Sequence, residues 1–306
     1  MKRREFLKKS LGAGLFAGSL ITLGGYGRIF ANTTNSAVPY DLVAIKDGEP
    51  EKMFDRAMEA MGGMRKYVKP GQKVVVKPNI GWDVIPEKAA NTNPKLVKRI
   101  IQHCFDAGAS KVYVFDHTCD EWRKCYQNSG IEKAAKEAGA TVAPGHTEGY
   151  YQSVSIPKGK KLKQAQEHEL ILESDVFINV PILKDHGSAR LTIAMKNLMG
   201  IVWDRRFWHR NDLHQCIADY ISYRKPDLNI VDAYRVMLRH GPRGVSKADV
   251  STMKYQIISD DIVAADAAAS KIFGSSPEQI RHIQIAGDAG YGKTDLSKLK
   301  IGRLKM

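Results

Sequence analysis

Donor side chains gather just past one apolar run. The run is Val176-Phe177-Ile178-Asn179-Val180, stopped by Pro181, and its length and stop predict a buried strand. Lys184, Asp185 and His186 follow, and Gly187 suits a turn. Further on, Lys196-Asn197 falls in a helical stretch closed by Gly200. Lys makes charge-assisted hydrogen bonds and Asn donates through its amide. The chemistry that fits is capture of a carboxylate or phosphate. A histidine adds a group that ordinarily titrates near neutrality and can move a proton.

The same chemistry recurs at the ends of other apolar runs. Lys77 and Asn79 follow the run at 74–76, Asp116 and His117 follow 111–115, and Asp232 follows 228–231. Arg243 sits in a glycine-rich basic loop at 239–244, and Asp266 in an alanine-rich helix at 262–273. Asp232 and Asp266 have the hard oxygen ligands that hold a divalent metal, and they can equally serve as acid or base or orient a histidine. The structural alternatives are plain. A strand-end lysine lays its stem on the surface, and Asp266 inside an apolar helix caps a backbone turn or pairs with a lysine. As catalytic groups the candidates are His186, His117 and Asp232.

Strands and helices alternate along the chain at α/β spacing, which predicts a mostly parallel central sheet with helices on both faces. In such sheets ligands bind outside the carboxyl ends of the strands, where these residues fall. Helices are expected over 50–64, whose methionine stripe reads as core, over 94–107 behind the cap Asn93, and over 131–138, 213–223 and 277–282. Strands are expected over 41–46, 140–143, 254–258 and 283–286, with an exposed strand at 151–156 and a basic hairpin tip at 158–163. Residues 203–210, WDRRFWHR, mix aromatic and basic side chains in an expected loop. It is read as a flap over a ligand, a partner-binding surface or a packed loop.

Composition narrows the partners. Forty-three per cent hydrophobic residues suit a globular core, and a net charge of +14 favours anionic partners. Apart from residues 203–210 nothing resembles a nucleic-acid footprint, so nucleic acid is not expected. The cysteines are Cys104, Cys119, Cys125 and Cys216, none in a CxxC, which disfavours zinc ribbons and an iron–sulfur cluster. Cys119 and Cys125 either pair in an oxidising compartment or stay free. There is no GxSxG, P-loop or dinucleotide fingerprint.

The first residues read as an address. MKRREFLKK is basic, residues 11–25 are apolar and glycine-rich, and Ile29-Phe30-Ala31 offers a small residue before a cut. Arg3-Arg4-Glu5-Phe6-Leu7-Lys8 resembles a twin-arginine export motif, with Lys2 where Ser or Thr is usual. The alternatives are an ordinary secretory signal or an uncleaved anchor. The expected organisation is an export signal at 1–31, a linker at 32–40 and one α/β domain at 41–306. The expected location is the periplasm, with Arg3 and Arg4 read by the export machinery.

Taken together, VVVKPNI at 74–80, VFINVPILKDHG at 176–187, TIAMKNLMG at 192–200, IVD at 230–232, GPRG at 241–244 and DIVAADAAA at 261–269 resemble the domain of unknown function 362 family. The resemblance covers most of residues 41–290. It implies the α/β fold and marks Lys77, Asn79, Asn179, Lys184, His186, Lys196, Asn197, Asp232 and Asp266 as motif positions. The expected ligand-binding set is then Lys77, Asn79, Asn179, Lys184, Lys196, Asn197 and Arg243. Some family members carry a ferredoxin-like module, but this chain has no such cysteine pattern. Two functions follow. One is an exported enzyme acting on a small anion by His/Asp acid–base or metal-assisted chemistry. The other is an accessory protein that holds an anion or cofactor for an exported redox partner and docks it through residues 203–210.

Overall fold

The computed structural model describes residues 39–306. In chain order, β1 (Leu42–Lys46) precedes α1 (Pro50–Ala60), and β2 (Lys73–Pro78) precedes α2 (Pro94–Asp106). Asn93 caps α2 by accepting from the Lys95 amide at 3.0 Å, with Pro94 in the first turn. β3 (Lys111–Val114), α3 (Trp122–Asn128), α4 (Ile131–Glu137) and β4 (Thr141–Val142) follow. β5 (Tyr151–Ser155) and β6 (Gln164–His168) form a separate antiparallel hairpin, and the basic run 158–163 is its tip. Next come α5 (Glu169–Glu173), β7 (Val176–Val180), β8 (Ile182–His186), β9 (Arg190–Thr192) and α6 (Ala194–Asn197). The chain continues through α7 (Arg205–Arg210), α8 (Leu213–Ile221), β10 (Leu228–Met237), β11 (Val250–Ser259), α9 (Ile262–Phe273), α10 (Arg281–Asp288) and β12 (Ile301–Lys305).

The main sheet runs β12-β1-β11-β10-β7-β2-β3-β4, with β8 and β9 attached beside β10. It is mostly parallel: β11 runs against β1 and β10, and β9 runs against β8, while the remaining pairs are parallel. Successive strand residues point to opposite faces. Val74, Val76, Val176 and Ile178 therefore enter one core, with α1, α2 and α4. Val75, Phe177, Val231 and Ala233 enter the other, with α6, α8 and α9. Helices thus cover both faces.

Several elements differ from the sequence reading. The chain past Pro181 is a strand, not a loop. Pro181 has no N–H to donate, but its carbonyl accepts from the Asp232 amide at 2.9 Å, so β10 carries the sheet onward into β8. β10 consequently extends to Met237, and Asp232 lies within it rather than at its end. Residues 205–210 are helical, and 283–286 lie in α10, where Ile283 and Ala286 face the core. A short apolar run has no period that separates strand from helix. α3 and β12 were not expected at all.

The export-signal reading of 1–31, and the linker up to residue 38, lie outside the described residues. Among the described residues no helix is long and apolar enough to cross a membrane.

Candidate functional site

One buried amide organises the carboxyl edge of the sheet. Asn197, the last residue of α6, accepts at Oδ1 from Lys77 Nζ (2.9 Å) and Asn79 Nδ2 (3.0 Å). Its Nδ2 donates to Asn179 Oδ1 at 2.8 Å, and its backbone carbonyl accepts from Lys77 Nζ at 2.7 Å. Asn179 in turn donates to Ala194 O and Asn229 Oδ1, both at 3.0 Å. β2, β7, β10 and α6 are tied by amides whose donors and acceptors are used, which is the condition for burying them without cost.

Lys77 also meets Asp116, just past β3, as an ion pair at 3.0 Å, with both side chains almost fully buried. The Ile80 amide donates to Asp116 Oδ2 at 2.6 Å, and the Asp116 amide donates to Tyr126 Oη at 2.7 Å. Burial pushes the lysine down and the carboxyl up, and each charge opposes the shift of the other. Gly200 is required at this point. A Cβ built there would land on Asp116 Oδ1 and stand 2.6 Å from Lys77 Nζ.

Beside the pair opens a cavity of about 300 Å³. Lys77, Asn79, His117, Lys184, His186, Lys196 and Asn197 all line it, so the structure brings these expected residues together. Lys184 is buried and donates to Ala90 O and, at 3.3 Å, to Asn79 Oδ1. Lys196 is half-buried and makes no hydrogen bond or ion pair among the described residues. Burial lowers both amines, Lys184 to about 7 and Lys196 to about 8.

The histidines behave differently from free imidazole. His117 Nδ1 is 3.1 Å from Val202 O, which makes it the protonated nitrogen, and its ring stacks on Trp203 at 4.7 Å. Burial, with the Arg205 charge second, lowers it to about 4. His186 Nδ1 accepts from the Ala189 amide at 3.2 Å, so Nε2 carries the proton of the neutral ring. Burial and the neighbouring lysines hold it far below its ordinary value. Both rings are therefore neutral near pH 7, one with a free Nε2 lone pair and the other with an Nε2–H. The groups in the cavity that titrate near neutrality are lysines.

Other expected site residues stand apart. Asn179 lies behind the cavity as part of the amide network. Asp232 is buried and accepts from the Asn93 amide at 2.8 Å and the Tyr234 amide at 3.0 Å. Asp266 accepts from the Ala194 amide at 2.6 Å and the Met195 amide at 3.2 Å. Burial raises Asp232 to about 6 and Asp266 to about 8. Neither carboxylate reaches the cavity, and among the described residues no group of three His, Cys, Asp or Glu is arranged to hold a metal. Both act as backbone clamps, and Asp266 fixes the start of α6. Arg243 lies outside the cavity wall and pairs with Asp120 at 3.4 Å, while its neighbour Pro242 lines the cavity.

Asp116, expected at a strand end, stands in the wall as the partner of Lys77. Cys119, Thr192, Arg205, Arg206 and His209, which are not among the site residues expected from the sequence, complete it. The arginines and His209 belong to the aromatic-basic run, which therefore contributes part of the cavity wall. Arg205 is held by His117 O at 2.6 Å and by Thr118 O. Trp208, a proposed docking residue, is buried against Tyr220 and is not presented to a partner. Cys119 and Cys125 are both free thiols, Cys119 exposed at the cavity and Cys125 buried.

A doubly covered α/β sheet with a basic pocket at its carboxyl edge defines the class of protein. The chain belongs to the domain of unknown function 362 family, whose model matches residues 74–271. It is 25% identical over 231 residues to a thylakoid-associated protein of Synechocystis sp., covering 73% of this chain and 70% of that one. Among solved structures it is similar to the lactate racemase apoprotein from Thermoanaerobacterium thermosaccharolyticum, with a TM-score of 0.49 and 12% identity. That likeness covers 75% of this chain and 56% of the racemase chain.

Proposed function

We propose that this protein binds a small anion in the cavity at the carboxyl edge of its sheet and acts on it by proton transfer. The observation that carries the reading is a charge imbalance. Lys184, Lys196, Arg205 and Arg206 line the cavity, and the carboxylate among the lining residues, Asp116, is already set against Lys77. Lys184 is buried, and Lys196 and Arg205 are half-buried. Desolvated cations without counter-charge are costly, and an anionic ligand relieves that cost. The cavity volume of about 300 Å³ suits a small molecule. Arg206 is exposed at the mouth and free to meet the ligand, and the His186 Nε2–H supplies a neutral donor. A metal-assisted route through Asp232 and Asp266 is not adopted, because both carboxylates are taken up by backbone amides.

Calorimetry with acetate, glycolate, oxalate and phosphate tests this. Arg206→Ala removes an exposed side chain and is expected to weaken binding of the preferred anion about tenfold, or about 1.4 kcal/mol. No heat from any of these anions, or identical affinity in Arg206→Ala, would overturn the reading. Export is part of the same proposal and rests on the pattern of residues 1–31. Replacing Arg3 and Arg4 with Lys should leave the protein in the cytoplasmic fraction, and unchanged fractionation would count against it.

A further inference from the structure

We infer that Lys196 is a reactive amine that condenses with the carbonyl of a small anionic aldehyde or 2-oxo acid to form an imine. This rests on the anion-site reading above and names its substrate class.

The geometry separates Lys196 from the other lysines of the cavity. Lys77 is engaged by Asp116 and by two oxygens of Asn197, and Lys184 by Ala90 O and Asn79 Oδ1. Lys196 has no such partner, yet the backbone that carries it is fixed on both sides. Asp266 clamps the Ala194 and Met195 amides on one side, and the Asn197 amide is locked into the network on the other. A free amine on a rigid element, facing a cavity, is placed for chemistry rather than for structure. Desolvation is the largest influence on it; Cys119 and Asp116 favour its charged form, while the Arg205 and Lys77 charges favour the neutral one. A lysine so lowered holds on the order of a hundredfold more free amine at neutral pH than an exposed one. Desolvation beside another cation is how lysine nucleophiles are activated.

The step balances without a co-reactant. The neutral Nζ lone pair adds to the carbonyl carbon, forming C–N as the C=O π electrons move to oxygen. A proton passes from nitrogen to oxygen to give the carbinolamine. Lys184, which lines the same cavity and titrates near neutrality, supplies the second proton, and water leaves as C=N forms. The carboxylate of the substrate is held by Arg206 and the His186 Nε2–H. The imine then draws electrons from the adjacent carbon, which is the reason to form one before a proton transfer or a bond cleavage.

The test uses the full chain with pyruvate and with glyoxylate, reduced by borohydride and mapped by peptide mass spectrometry. Calorimetry with glycolate, which has no carbonyl, runs in parallel. The expected result is a reduced adduct on Lys196, formed roughly tenfold or more faster than on any exposed lysine. Its rate should rise between about pH 6 and 8 as the amine loses its proton. Glycolate affinity should fall over the same interval, because it loses a cation. Lys196→Arg should abolish the adduct at that position while its melting curve shows a folded protein. Glycolate binding with no trapped adduct overturns the imine and leaves the anion site standing. Adducts spread over surface lysines, or unchanged in total by Lys196→Arg, also overturn it. Failure of both glycolate binding and trapping overturns the anion reading as well.

Discussion

Two basic regions of this molecule use their charges in opposite ways. At the β1/β12 edge, a cavity of about 620 Å³ has an apolar floor of Leu42, Ile272, Leu296 and Ile301, rimmed by Lys46, Lys271, Arg303 and Lys305. At the carboxyl edge the cavity is about half that volume. In the larger one, Lys46 and Lys305 lie 3.9 and 3.7 Å from Asp47 and keep much of their surface in water. In the smaller one, Lys77 and Lys184 are buried and Lys196 has no counter-charge. The number of cations is similar. What differs is desolvation. An exposed ammonium keeps its hydration, whereas a buried one must be paired, lose its proton or find an anion. The comparison teaches that burial, not basicity, singles out the candidate site in a chain whose net charge is +14.

The largest expected effect comes from breaking the buried pair. Asp116→Asn leaves Lys77 without its partner ion and should cost about 3–5 kcal/mol in denaturant unfolding. A loss below about 1 kcal/mol would mean that Lys77 is not held as an ion. Arg206→Ala falls between the extremes, with its loss confined to anion binding and stability nearly unchanged. At the other end, Lys305→Ala at the β1/β12 rim should shift stability by no more than about 0.5 kcal/mol and leave anion binding intact. If Lys305→Ala weakened anion binding as much as Arg206→Ala, the contrast between the two regions would collapse.

Much of the site was legible before the structure, for a simple reason. Lys77, Asn79, His117 and Lys184 follow apolar runs, and a parallel sheet delivers the ends of its strands to one edge. The runs themselves were readable because Val, Ile and Phe cluster where both faces of the sheet are covered. The roles were less legible. Asp232 and Asp266 look like acids or metal ligands in a sequence, and nothing local shows that backbone amides of Asn93, Tyr234, Ala194 and Met195 point at them. The Asn93, Ala194 and Met195 donors come from segments far away in the chain, and the Tyr234 amide, two residues from Asp232, is turned onto it only by the course of the strand. Cys119 gave no signal beyond its nearness to His117, and its place in the wall depends on its amide donating to Gly81 O at 2.8 Å.

The histidines show the same divide. Sequence alone supports a proton shuttle at His117 or His186, since free imidazole titrates near neutrality. In the fold, burial and the surrounding cations lower both rings and bring the lysines into that range instead. A pKa belongs to an environment, and environment is a tertiary property.

By itself the sequence determined the alternation of strand and helix, the two apolar faces and the edge at which donors collect, because these follow from local periodicity and chain direction. Only the tertiary structure decided that the strand continues past Pro181, that Asn197 is spent on holding Lys77 and Asn79, and that Lys196 is left with a free amine. Those outcomes depend on which distant groups arrive within hydrogen-bond reach and on how much water they displace. Neither quantity is written in the neighbourhood of any one residue.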